Sequence, residues 1–146
     1  MSVGKSNSTN NDQPASQNTD SSFMELETCK IRWKFEARDR IDATPAVTDD
    51  MVYFGSNDTI FYALDALNGE LEWRYKSTLP IRSSPVISEN TIYFAGDDML
   101  VHALDKKTGQ QKWRIQLGDI TRCDSPFIAE GLLFIGNNDF HMYAIE

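Results

Sequence analysis

The sequence predicts an all-β fold built from repeated four-stranded units, and three observations carry that prediction. A tryptophan returns every 40 residues, at Trp33, Trp73 and Trp113. Around the later two, Ala63-Leu64-Asp65-Ala66-Leu67-Asn68-Gly69-Glu70-Leu71-Glu72-Trp73 recurs as Ala103-Leu104-Asp105-Lys106-Lys107-Thr108-Gly109-Gln110-Gln111-Lys112-Trp113, a shared A-x-D-x-x-x-G-x-x-x-W pattern. Between the tryptophans, short runs of β-branched and aromatic residues alternate with Asn, Asp and Gly turn signals. A period near 40 with strand content marks a radial β architecture, whose units cannot bury their faces alone. The expected fold is therefore a set of β-propeller blades. About three four-stranded antiparallel blades would form a partial propeller or part of an assembled ring.

The elements follow in order. In the first full unit the expected strands are Ala43 to Thr48, Met51 to Ser56, Thr59 to Asp65 and Glu70 to Lys76. Asp49-Asp50, Asn57-Asp58 and Asn68-Gly69 supply the turns between them. The second unit repeats the layout over Ser83 to Ser88, Thr91 to Gly96, Met99 to Asp105 and Gln110 to Leu117. The third gives Ser125 to Ala129, Leu132 to Gly136 and Phe140 to Ile145. Pro45, Pro85 and Pro126 sit near the start of each first strand, where a missing N–H costs least. Lys30 to Glu36 carries Trp33 and reads as a last strand without its first three. Paired with the three C-terminal strands it would complete a blade and cover an exposed edge. The units run over about 33–72, 73–112 and 113–146, within a repeat region of 23–146. The first motif copy is degenerate, with Phe23, Glu25 and Cys29 in the Ala, Asp and Gly slots.

Residues 1–22 are rich in Ser and Asn and hold no aromatic side chain. Such a stretch buries too little apolar surface to offset its ordering entropy, so a disordered polar tail is expected. It lacks the apolar segment of a secretory signal and the Arg-rich, acid-poor balance of a transit peptide. On that reading the chain stays in the cytoplasm unless its start has been trimmed. No run approaches the roughly 18 apolar residues of a membrane span. The net charge is −8, which argues against nonspecific binding to nucleic acid or an anionic membrane. The two cysteines, Cys29 and Cys123, are too few for a disulfide framework and read as free thiols. A bridge between them would require the chain ends to meet in an oxidising compartment.

The motif residues have structural tasks. Gly69 and Gly109 supply a turn conformation that side chains disfavour. Asp65 and Asp105 accept backbone N–H groups in the same turn. Trp33, Trp73 and Trp113 offer flat area to seal one blade against the next, and Ala63 and Ala103 leave room for a neighbouring ring. This pattern resembles the tryptophan-docking repeat of the pyrroloquinoline-quinone (PQQ) type β-propellers, over about residues 23–146. The family contains quinoprotein alcohol dehydrogenases. It also contains sensor domains and noncatalytic members such as the propeller lipoprotein of the outer-membrane β-barrel assembly machinery. The resemblance implies export for most members, in conflict with the missing signal. It also implies seven or eight blades where this chain supplies three. The chain is then part of a larger propeller, or copies assemble into a ring, and exposed aromatic end faces favour assembly.

Little in the sequence points to catalysis. The resemblance implies, for a dehydrogenase, an adjacent cysteine pair, a catalytic Asp and a Glu/Asn/Asp calcium set, and no adjacent cysteines occur. Asn57-Asp58, Asp97-Asp98 and Asn137-Asn138-Asp139 fall in hairpin turns. His102 aligns with Tyr62 and Tyr143, and His141 with Ile60 and Leu100, so neither suggests a metal site. No catalytic, metal or cofactor-binding residue is assigned, and PQQ enters by resemblance alone. The links between blades vary most. Arg40, Arg82 and Arg122 lie on them and make a candidate binding face for an acidic partner. The expected role is a noncatalytic protein-binding or scaffold repeat. A fragment or subunit of a PQQ-binding dehydrogenase, or a ligand-sensing module, is the alternative.

Overall fold

Eleven strands make three antiparallel sheets, and no helix occurs among the described residues. The structure, a computed structural model, describes residues 29–121 and 124–146. The tail expected over 1–22, the slots given to Phe23 and Glu25, and Arg122 and Cys123 lie outside them. Residues 1–30 and 31–146 are separate units. Of the first, only Cys29 and Lys30 are described, both exposed; the account below concerns the second.

The first blade holds β1 (Ala46–Val47), β2 (Met51–Gly55), β3 (Ile60–Asp65) and β4 (Leu71–Lys76), hydrogen-bonded in that order. The second holds β5 (Val86–Ser88), β6 (Thr91–Ala95), β7 (Leu100–Asp105) and β8 (Gln111–Gln116), again in order. The third holds β9 (Phe127–Ala129), β10 (Leu132–Gly136) and β11 (Met142–Ile145). The innermost strands are shorter than expected, and they begin directly after Pro45, Pro85 and Pro126. Proline has no N–H to give a ladder, so pairing starts one residue later.

The blades stack face to face. Alternate side chains of β3 point to opposite faces, and both faces are covered. Phe61 and Ala63 join Ile92, Phe94 and Leu104 of the second blade, with Trp73 packed against them. Tyr62 and Leu64 join Phe54 on the other face, where Trp33, Phe35 and Ala37 cover them. Between the second and third blades lie Ala95, Val101, Leu117, Leu133 and Ile135, flanked by Trp113 and Tyr143. Near the inner strands, hydroxyls tie blade to blade. The Thr44 N–H donates to Ser84 Oγ at 2.9 Å, and the Ser84 N–H to Ser125 Oγ at 2.9 Å.

The repeated motif closes each junction. Asp65 Oδ1 accepts the Leu67 and Asn68 N–H groups at 2.8 and 3.0 Å, and Asp105 Oδ1 accepts those of Lys107 and Thr108, both at 3.0 Å. Those turns carry Gly69 at φ +74° and Gly109 at φ +70°. The tryptophan of the preceding unit lies on the glycine. A Cβ at Gly69 would stand 2.6 Å from the Trp33 ring, and one at Gly109 would stand 2.4 Å from Trp73. Each indole then donates its N–H to the same turn, Trp33 to the Ala66 carbonyl at 3.0 Å and Trp73 to the Lys106 carbonyl at 3.2 Å. The ladder sets Ala63 opposite Trp73 and Ala103 opposite Trp113. The room that alanine leaves is thus for the ring on its own sheet, while the glycine admits the ring from the unit before.

One expectation is overturned. Lys30 to Glu36 was assigned to a strand that pairs with the C-terminal strands, but no strand forms there and the third sheet stops at β11. Residues 33–37 cover the first blade instead. Three blades are stacked in sequence order, with cores only between neighbours, so the outer edge of the last lies beyond reach of a segment fixed to the face of the first.

The two kinds of turn glycine separate backbone strain from indole contact. Gly131, at φ +77°, has nothing within 4 Å of an added Cβ. Gly131→Ala is expected to lower stability by about 1 kcal/mol, the cost of a left-handed alanine. Gly109→Ala adds displacement of the Trp73 ring and should cost about 3 kcal/mol. Urea unfolding midpoints check the difference.

Candidate protein-binding faces

Three of the acids that sequence reading placed in hairpin turns, Asp58, Asp98 and Asp139, each bond groups of their own blade. Asp58 Oδ1 accepts the Ile60 N–H at 2.9 Å, and Oδ2 accepts the Tyr62 hydroxyl at 2.6 Å. Asp98 repeats the pattern with the Leu100 N–H at 3.2 Å and with His102 Nε2 at 3.2 Å. Asp139 repeats it with the His141 N–H at 3.0 Å and with the Tyr143 hydroxyl. An Asp thus latches the ring four residues on in every blade. The spacing is visible in the sequence as Asp58/Tyr62, Asp98/His102 and Asp139/Tyr143. The alignment of His102 with the two tyrosines identified the slot without its acid partner.

These latches shift acidities in consistent directions. Burial raises the Tyr62 hydroxyl, and the bond to Asp58 adds to it, taking it to about 12. Burial by itself would raise Asp98, but the hydrogen bond and charge of His102, with the Ser77 hydroxyl and the Leu100 N–H, outweigh it and hold the carboxyl below its ordinary range. The Asp98 latch also ties two blades, because Ser77 and Tyr75 come from the first. The Ser77 hydroxyl donates to Asp98 at 2.9 Å, and the Tyr75 hydroxyl lies 3.2 Å from His102 Nδ1.

At the links between blades, equivalent positions carry different chemistry. Asn57 Nδ2 donates to Asp42 at 2.9 Å, Arg82 pairs with Asp97, and Asn137 Nδ2 donates to the Asp119 carbonyl at 2.9 Å. Arg82 is therefore held within its blade. Arg40 is exposed, and its carbonyl accepts the Asn57 N–H at 2.9 Å, the part played in the next blade by Pro80 with Asp97. Arg40 and Arg82 thus occupy non-equivalent steps of the repeat, and the structure does not bring them together as matched members of a ring. Arg122 lies outside the described residues.

A PQQ and calcium site is a poor fit to these side chains. Asn57 and Asp97 each keep one buried oxygen without a donor among the described residues. Two such oxygens fall well short of the six to eight that calcium takes. Asp58, Asp98 and Asp139 are spent on latches, and the sequence has no adjacent cysteines.

The third blade is different in kind. Among the described residues its sheet has three strands, β9 to β11. On this blade Phe127 of β9 is 66 % exposed, Met142 of β11 72 %, and Phe140, in the turn before β11, fully exposed. Phe140 sits at φ 68°, the conformation of Thr59 and Met99 in the other blades. Trp113, Tyr93, Leu133 and Ile145 line a cleft between the second and third blades. No helix among the described residues is long and apolar enough to cross a membrane.

The family model for the outer membrane protein assembly factor BamB matches residues 15–87 and again 78–146. The chain belongs to this PQQ-type propeller repeat family. Among solved structures it is similar to BamB from Moraxella catarrhalis, at 20 % identity and a TM-score of 0.67 over 77 % of this chain and 35 % of that one. It is also similar to the quinohemoprotein alcohol dehydrogenase ADHIIG from Pseudomonas putida HK5, at 26 % identity and a TM-score of 0.61 over 73 % of this chain and 18 % of that one. The quinohemoprotein alcohol dehydrogenase of Comamonas testosteroni aligns at 23 % identity with a TM-score of 0.60, over 68 % and 17 % of the two chains. No curated protein sequence matches. The chain thus spans about a third of that BamB and under a fifth of the dehydrogenases. The PQQ-type repeat here forms a partial propeller of stacked antiparallel blades.

The Asp98 latch predicts a pH dependence. Its carboxyl is depressed in the folded chain, so the latch stabilises above the unfolded value of about 3.9 and is lost as pH falls through the folded value. Asp98→Asn should be destabilised relative to the parent near neutral pH. The gap should narrow below pH of about 4, read from thermal midpoints across an acid series.

Proposed function

We propose that this chain is a noncatalytic protein-binding repeat module. The exposed apolar side chains of the third blade, Phe127, Phe140 and Met142, are its main contact surface. Their exposure carries this reading, because large apolar side chains left in water suit burial against a protein partner. Membership of a family described as an outer membrane assembly factor supports a role among proteins. So does the engagement of the turn acids in latches that hold the blades. The exposed Arg40 on the link before the first blade is a secondary contact for an acidic partner.

The competing reading, a PQQ-binding unit like the dehydrogenases, makes a separate expectation. Titrating the purified chain with PQQ and calcium is expected to leave its tryptophan fluorescence and the quinone absorbance unchanged. Saturable quenching that needs calcium would overturn the noncatalytic reading, because Trp33, Trp73 and Trp113 lie at the blade junctions, where a bound quinone would be sensed.

A further inference from the structure

Three cations converge on the first blade, and we infer that the cleft they surround is an anion-binding site for a phosphate-bearing ligand. Arg38, Arg74 and Lys76 stand around a cleft of about 390 Å³, with Ile60 and Tyr62 also in its wall. That volume falls in the range of roughly 300–1,000 Å³ of small-ligand sites. The ladder sets Lys76 opposite Ile60 and Arg74 opposite Tyr62. Positions 74 and 76 of β4 are two apart, so both cations project from one face of the sheet. Arg38 comes from the link before the blade and is tied to it, since its N–H donates to Asp58 Oδ2 at 3.0 Å. The charges of Arg38 and Arg74 both bear on the Tyr62 hydroxyl, working against the rise that burial and Asp58 impose.

The wall holds one acid, Asp58, and its oxygens are already taken by the Ile60 N–H, the Tyr62 hydroxyl and the Arg38 N–H. Three cations against one carboxylate leave an excess of two positive charges, in a chain whose net charge is −8. Among the described residues the ion pairs are Arg82–Asp97, His102–Asp98, Lys112–Asp105 and His141–Asp139, and none involves Arg38, Arg74 or Lys76. The second blade shows that the fold does not ask for this cluster. Thr78, Arg114 and Gln116 stand at the same steps of the repeat, so one cation of the three is kept. There the Ser77 and Thr78 hydroxyls donate to Asp98 at 2.9 and 3.2 Å, where the first blade has Ala37 and Arg38. The walls of the cleft all fall within residues 38–76, so the site needs no strand beyond those described. Guanidinium forks match phosphate oxygens two at a time, and an ammonium adds a compact charge. An excess of two charges suits a dianion, which a phosphate monoester or a pyrophosphate supplies and a single carboxylate does not. The site lies apart from the apolar side chains of the third blade and does not depend on them.

Calorimetric titration of the full-length chain at low salt tests this with two probes, inorganic pyrophosphate and a phosphoserine peptide of otherwise neutral sequence. At least one probe is expected to bind at a single site per chain, with an affinity that falls as salt is added. Arg38→Thr combined with Lys76→Gln installs the residues that the second blade already carries, so the fold is kept, and an unchanged thermal midpoint checks this. That double variant should weaken binding by at least about tenfold. Arg114→Gln removes the counterpart of Arg74 in the second blade, where no flanking cations stand, and should leave the affinity unchanged. Pyrophosphate binding at least as tight as the peptide's makes the ligand a small phosphate compound. Tighter binding of the peptide, lost in its unphosphorylated form, makes it a phosphorylated protein. No binding of either probe, or binding that Arg114→Gln weakens as much as the double variant does, would overturn the inference and leave the third-blade contact surface untouched.

Discussion

Everything in this molecule depends on a flat indole lying against a glycine that has no side chain to keep it away. The contact requires three things at once. A turn must hold φ positive, the turn glycine must lack a Cβ, and a carbonyl must accept the indole N–H. The A-x-D-x-x-x-G-x-x-x-W repeat supplies all three in one short stretch, but it does so out of phase. The glycine of one unit receives the tryptophan of the unit before, so the motif is a connector between units rather than a feature within one. A single blade would leave two apolar faces bare, and stacking through this connector covers them.

The second recurring device, an aspartate that latches a ring four residues on, works within the blade. It removes the carboxylates from the pool of groups available for chemistry. A loop acid with a free carboxylate beside a cleft invites a catalytic reading. An acid that accepts a backbone N–H and a phenol or imidazole is part of the frame. His102 shows the same frame adapted, since an imidazole replaces the phenol and reaches Tyr75 of the preceding blade as well. The likeness to both an assembly factor and quinohemoprotein dehydrogenases fits this view. Those proteins share blades and stacking, and function is added at edges and loops.

Edges decide what a partial stack does. In a closed propeller each face is covered by the next blade. Here the outer face of the first blade is covered by residues 33–37.

Much of this was legible in the sequence. The repeat period, the four-strand layout, the turn glycines and aspartates and the family resemblance follow from residue types and spacing, because local conformation and alternation are short-range physics. The Asp/ring latch was also legible as a fixed four-residue offset. The sequence could not show where Trp33 would go, since a strand-like segment fits a ladder or a neighbouring face equally well. Nor could it show that Arg82 pairs with Asp97. Those outcomes turn on which surfaces the stack brings within reach. That is set by the position of whole blades, a long-range property that no window of residues contains.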